Sequence, residues 1–386
     1  MTSKERMLTA LGRGVPDRLP VTTHHLMQYF LDKYADGMSN REFFDHFGMD
    51  AYRWLAPPTK PDLSKGQYYD PLQGEPGFLG SRRIATDQWR IFPEDVPGQK
   101  LATTRYRFVT PKGEISMVLT SDVYSTWVSE PLIKKKRDIE LIAAYATTAT
   151  LDVDAVNKAV DEFGDRGLVR AWLPLFDVFG QPGCWQDACC LVGTQEMIMA
   201  TYDDPEWVHE FLEILLQQKK GFVQSYAGAR YDLVEFGGGD GSTTVISPTI
   251  FEKFVAPYDS QIIAWAHEAG QLVSYHTCGG MMPILEQIVG MGPDAMETFT
   301  PPDMGGDTDL AEAKRRIGDK VCMIGGFDQF HFLANTTPEK TRTEVRRIFE
   351  VAGQGGGYIL SPSDHFFDAD LELIEAFADE ARRCTY

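Results

Sequence analysis

No stretch of this 386-residue chain is apolar for long enough to cross a bilayer, and no basic-then-apolar leader opens it. A water-soluble, cytoplasmic protein is therefore expected. Basic residues are scarce: 37 lysines and arginines against 56 aspartates and glutamates leave a formal charge of −19. A field of that sign repels phosphate backbones and anionic lipid, so neither nucleic acid nor membrane is an expected partner. Cysteine is sparse too. Six thiols in a chain this long make no disulfide framework, and reduced side chains are expected. No G-x-G-x-x-G follows a strand pattern, which argues against a dinucleotide crevice. A small substrate, or a protein partner with a basic rim, suits what remains.

What the chain does have is alternation. Lys4–Leu11 reads as a helix ended by glycines and Pro16, and Asp17–Thr22 as a strand leading to His24 and His25. From about residue 37 to 128 the sequence is insertion-rich: first irregular and dense in Pro, Gly and aromatics, then a hairpin turning at Pro111-Lys112-Gly113. Beyond residue 140, short apolar strands alternate with helical patterns. The strands are Gly167–Trp172, Asp232–Phe236, Leu272–His276, Ala295–Glu297, Val321–Gly325 and Gly357–Ser361. Repeated strand–helix units imply a parallel sheet. With one further strand in the first half, eight units close as an α/β fold of the TIM (β/α)8 barrel type, one domain over residues 1–386. A doubly wound open sheet is the alternative.

In such a barrel the carboxyl ends of the strands share one mouth. The strand ends offer His24 and His25, Trp172 to Asp177, Glu235 to Asp240, His276 with Cys278, Glu297, Asp328, and Asp364 with His365. His276-Thr277-Cys278-Gly279-Gly280 is the sharpest of these. A strand's period of two puts His276 and Cys278 on one face, as two converging ligands for a borderline-soft ion such as Zn²⁺. The alternative is a buried imidazole beside an inert thiol. Aromatic side chains near the mouth, Trp172, Phe176 and Phe366 among them, would wall a flat substrate beside His24 and His25.

Several blocks together resemble the uroporphyrinogen decarboxylase superfamily, and in particular its corrinoid-linked methyltransferase branch. They are Lys4–Leu11 with Pro16–Val21, Ser247–Tyr258, His276–Gly280, Glu297–Pro302, Ile324–Asp328 and Gly356–Pro362. The decarboxylases carry an arginine-rich segment for propionates near the start, whereas Thr22–Phe30 here contains no arginine. The methyltransferase branch holds zinc through a His-x-Cys pair and a third cysteine after the last strand. The resemblance places the pair at His276 and Cys278 and puts Asp364 where that third cysteine stands, with Glu235 completing the set and His365 an alternative. Carboxylate in place of thiolate makes a bound zinc a stronger Lewis acid, which suits polarising an ether oxygen. The resemblance thus implies Zn²⁺, catalytic roles for Glu235, His276 and Asp364, and methyl transfer from a small methoxylated, aromatic compound to a cobalt(I) corrinoid. No Asp-x-His-x-x-Gly segment binds cobalamin in this chain, so a separate corrinoid protein is the expected partner. Transfer from a methyl-corrinoid to a thiol, metal-free decarboxylation, and a binding protein without activity are the competing readings.

Overall fold

The structure is a computed structural model and describes residues 1–73 and 81–386. Seven parallel strands form one curled sheet: β1 (Ala51–Trp54), β2 (Gly167–Trp172), β3 (Leu233–Gly237), β4 (Val273–His276), β5 (Ala295–Thr298), β6 (Cys322–Gly325) and β7 (Tyr358–Ile359). They lie side by side in chain order. β2 through β7 are buried at every position, as strands covered on both faces must be, and this is why they read as near-continuous apolar runs.

The sheet's two outer strands are joined through Pro20–Thr22. Thr22 N–H donates to Leu360 O at 2.9 Å and Leu360 N–H to Pro20 O at 2.9 Å, while Asp50 N–H donates to Val21 O at 2.7 Å. The strand expected at Asp17–Thr22 is thereby reduced to a bridge at Val21. Pro16 and Pro20 lack donors, and Leu19 N–H is taken by Cys384 O at 2.8 Å. The further first-half strand is Ala51–Trp54, inside the segment expected to be irregular; its Ala-Tyr-Arg-Trp composition carries no aliphatic run to mark it.

The hairpin forms as expected. Ala102–Thr110 pairs with Gly113–Ser121, and Arg90–Asp95 and Thr126–Glu130 extend it to a four-stranded antiparallel sheet over one side of the mouth. Helices cover the barrel's outside. The longest, Pro205–Gln224, starts as its sequence dictates, with Asp204 accepting from Trp207 N–H and proline in the first turn. Among the described residues no helix is long and apolar enough to cross a membrane.

Register positions the site. Trp172 pairs with Glu235 and Glu235 with Ser274; Gly237 pairs with His276 and His276 with Glu297. With alternation along each strand, Arg170, Trp172, Glu235, His276 and Glu297 all project from one face of the sheet, near the carboxyl ends.

Candidate metal and substrate site

Arg170 sits in the middle of β2 and is fully buried. A guanidinium there is tolerated only with anionic partners. Its Nη2 donates to Glu235 Oε2 and to Glu297 Oε1, both at 2.9 Å, and its Nη1 to Glu297 Oε2 at 3.2 Å. The rings of Tyr52 and Trp54 lie 4.6 and 4.4 Å from the guanidinium carbon. Two imidazoles complete the layer. His24 Nε2 meets Glu235 Oε2 at 2.9 Å, and His276 Nδ1 meets Glu297 Oε1 at 3.3 Å.

Charge follows from this geometry. Burial alone would lower the pKa of His24, but Glu235 and Glu297 outweigh it and raise it to about 9. His276 is likewise raised well above the usual range against its burial, chiefly by Glu235. Burial would push the Glu297 carboxyl up, yet Arg170 and the two imidazoles hold it well below the carboxylate range. The floor of the barrel mouth is therefore a compact set of paired charges.

One level nearer the opening, His276, Cys278 and Asp364 bring ligand atoms within 4.8 Å of one another. Asp364 Oδ1 lies 2.8 Å from His365 Nδ1 and 4.0 Å from His24 Nδ1. Burial would raise the Asp364 carboxyl, but His365 and the neighbouring imidazoles keep it below its ordinary range. The glycine run after β3 makes room for this trio. Gly237 has φ +103°, and a Cβ there would fall 2.4 Å from His276 O; at Gly239 it would fall 2.9 Å from Cys278 Sγ.

The trio fits a zinc ion. Imidazole, thiolate and carboxylate are its usual donors. The contact of His276 Nδ1 with Glu297 leaves Nε2 for a metal that displaces its proton, with the carboxylate support that ligating histidines commonly have. His24, Glu235, His276 and Glu297 also bring ligand atoms within 4.8 Å and could hold a metal, but Arg170 already bonds both carboxylates. Glu235, expected beside Cys278 and Asp364, is instead tied to Arg170 and His24, with its other oxygen 3.9 Å from His276 Nδ1.

His276, Cys278, Asp364 and Glu235 open into a cavity of about 2010 Å³, lined also by His24, His25, Trp172, Phe176, Phe367 and His365 among others. Trp172 stacks on Trp54 with ring centroids 4.4 Å apart. Phe366, expected in the wall, instead packs edge-on against Phe30 at 4.9 Å in the core, and Phe367 faces the cavity. Asp328 caps the helix Gln329–Phe332 by accepting from His331 N–H. Arg170 belongs to the site without any motif that marks it. The available signal was an arginine inside the apolar run Leu168-Val169-Arg170-Ala171-Trp172, which obliges carboxylates to meet it.

The Uroporphyrinogen decarboxylase (URO-D) family model matches residues 128–384. Uroporphyrinogen decarboxylase of Neisseria meningitidis serogroup B is 27% identical over 240 residues, 59% of this chain and 64% of that protein. The enzyme of Coxiella burnetii (strain RSA 493 / Nine Mile phase I) is 28% identical over 242 residues, 59% of this chain and 62% of its own. The chain thus spans just under two thirds of the length of these relatives. A solved structure described as a methyltransferase from Methanosarcina mazei superposes with a TM-score of 0.62 at 14% identity, covering 99% of both chains, a likeness of fold. Since the family model takes in well over half of the chain, including β2 to β7 and His276, Cys278 and Asp364, this protein belongs to the uroporphyrinogen decarboxylase (URO-D) family.

Proposed function

We propose that this member of the family is a zinc-dependent methyltransferase that moves a methyl group from a small methoxylated, aromatic compound to a cobalt(I) corrinoid carried by a partner protein. The observation that carries the proposal is the convergence of His276, Cys278 and Asp364 at the base of the cavity. When bound, Zn²⁺ supplies a Lewis acid that polarises the ether oxygen. Glu297 orients His276 through its ring nitrogen, and the Arg170 layer fixes Glu297 in turn. Trp172 and Phe367 offer flat walls for an aromatic ring. The cavity's volume of about 2010 Å³ exceeds the roughly 300–1,000 Å³ usual for small-ligand pockets, which leaves space for a macrocycle presented from outside.

The names of the curated relatives favour a second reading, metal-free decarboxylation of a porphyrinogen. Such a substrate needs cations for its carboxylates. The cations lining the cavity are largely engaged: Arg83 with Asp70, Lys219 with Asp187, Lys134 with Glu130, and Arg82 stacked on Tyr69. That arrangement favours the methyltransferase.

Metal analysis followed by single-turnover formation of methyl-cobalt(III), with reduced corrinoid protein and a panel of aryl methyl ethers, tests the proposal. Stoichiometric zinc and methylation by one ether are expected. If no ether reacts while methyl-corrinoid is rapidly consumed by a thiol, the direction is reversed. Decarboxylation by zinc-free protein would establish the second reading.

A further inference from the structure

Three imidazoles stand beside the trio without being among its three donor groups. We propose that His24, His25 and His365 form a second metal site, separate from His276–Cys278–Asp364, which takes a divalent transition-metal ion through three imidazole nitrogens.

The first support is convergence. His24, His25 and His365 each offer a ring nitrogen, and these lie within 4.8 Å of one another. Two nitrogens on one zinc-sized ion stand at most about 4.2 Å apart, twice the metal–nitrogen length, so a small ring rotation closes the set. His24 and His25 are adjacent in sequence, and an extended backbone would send them to opposite sides. The chain bends at His24 instead, and their ring centroids come to 4.6 Å. His365 stacks on His25 at 5.0 Å, with 29° between ring planes.

The second support is the state of His24. Its Nε2 is engaged by Glu235 at 2.9 Å, the carboxylate contact that orients a ligating histidine. Its Nδ1 is buried and has no hydrogen-bond partner among the described residues. A buried ring nitrogen without a partner is costly and calls for an explanation. A metal ion on that nitrogen, displacing its proton, provides one.

Imidazole donors suit Zn²⁺, Ni²⁺, Cu²⁺ and iron. Three protein ligands leave a coordination position open, and the cavity is where it opens. Asp364 lies between the two donor sets, 2.8 Å from His365 Nδ1 and 4.0 Å from His24 Nδ1.

The test is titration of metal-free, full-length protein with Co²⁺, following bound metal by equilibrium dialysis and ligand type by absorbance. A thiolate-to-cobalt charge-transfer band marks Cys278 and thus the first site. Wild type is expected to bind two equivalents. His25→Asn and His365→Asn should each bind one and keep the band, whereas Cys278→Ser should bind one and lose it. The two histidine variants test the site from separate loops, with circular dichroism confirming the fold of each, so misfolding of one does not decide the matter. A single equivalent in wild type, carrying the band and unchanged in both histidine variants, overturns the second site and leaves the imidazoles as hydrogen-bonding groups. A single equivalent without the band, lost in His25→Asn, upholds this site while refuting the proposed role of Cys278.

Discussion

The two faces of one barrel strand meet buried charge in opposite ways. On its inner face, β4 presents His276 to Glu297, and Arg170 stands behind both. On the outer face, the adjacent Tyr275 hydroxyl donates to Asp259 at 3.1 Å, and no ion pair reaches Asp259 among the described residues. Both carboxyl groups are fully buried. Glu297 is held well below the carboxylate range, whereas burial pushes Asp259 up to about 7. The presence of a fixed guanidinium decides which form survives. A buried acid with a cation remains a charged, orienting group; one without becomes a neutral hydrogen-bonding group and a source of pH sensitivity.

The largest effect comes from removing that guanidinium. Arg170→Met should cost about 3–5 kcal/mol in chemical denaturation, because Glu235 and Glu297 are left buried without their common partner. A cost under ~1 kcal/mol would mean that the two imidazoles neutralise the floor unaided. Next comes the outer acid. The folded-state pKa of Asp259, about 7, lies above that of an unfolded aspartate, so the folded protein binds the extra proton between the two values. Stability should accordingly fall as pH rises from about 4 to about 7, by as much as ~4 kcal/mol if the full shift is expressed. For Glu297 the sign is reversed: its contribution is present above the unfolded glutamate pKa and is lost as pH falls below it. Thermal melts of wild type and Asp259→Asn across this window should show the near-neutral loss vanish in the variant and the acid-side loss remain. The smallest effect on stability belongs to the trio. Cys278→Ser should change unfolding free energy by less than ~1 kcal/mol, as a loop position away from the packed core. Zinc affinity, measured by chelator competition, should nevertheless drop by more than ~100-fold, since even outer-shell losses cost about 10–100-fold.

This contrast also explains what could be read from the sequence. β2 to β7 were legible because each is a short run with apolar residues such as Leu168-Val169 or Leu272-Val273 at its core, bounded by glycine or polar residues and followed by a helical pattern. The approach of His276, Cys278 and Asp364 was legible through strand periodicity and the family resemblance. Ala51–Trp54 was not, since its place in the barrel comes from pairing with Gly167–Arg170 and not from its own composition. Arg170 and its pairing with Glu235 and Glu297 stay hidden for a related reason. A charged residue in a strand does not announce which distant carboxylate or imidazole will meet it, and 127 residues separate Arg170 from Glu297. Phe366 and Phe367 show the limit at finest grain: adjacent, identical in type, and divided between core and cavity by chain direction alone.

The joint at Val21 bears on the autonomy of the part that carries the family signature. That signature covers residues 128–384, yet the segments that complete the circle, Pro20–Thr22 and Ala51–Trp54, both precede it. A polypeptide confined to the signature would leave Gly167–Trp172 and Tyr358–Ile359 as raw sheet margins, with ladder groups open to any passing strand. It would also lack His24, His25 and Trp54. The stretch that matches the family model thus lacks the two segments that join its sheet margins, and the N-terminal portion supplies them.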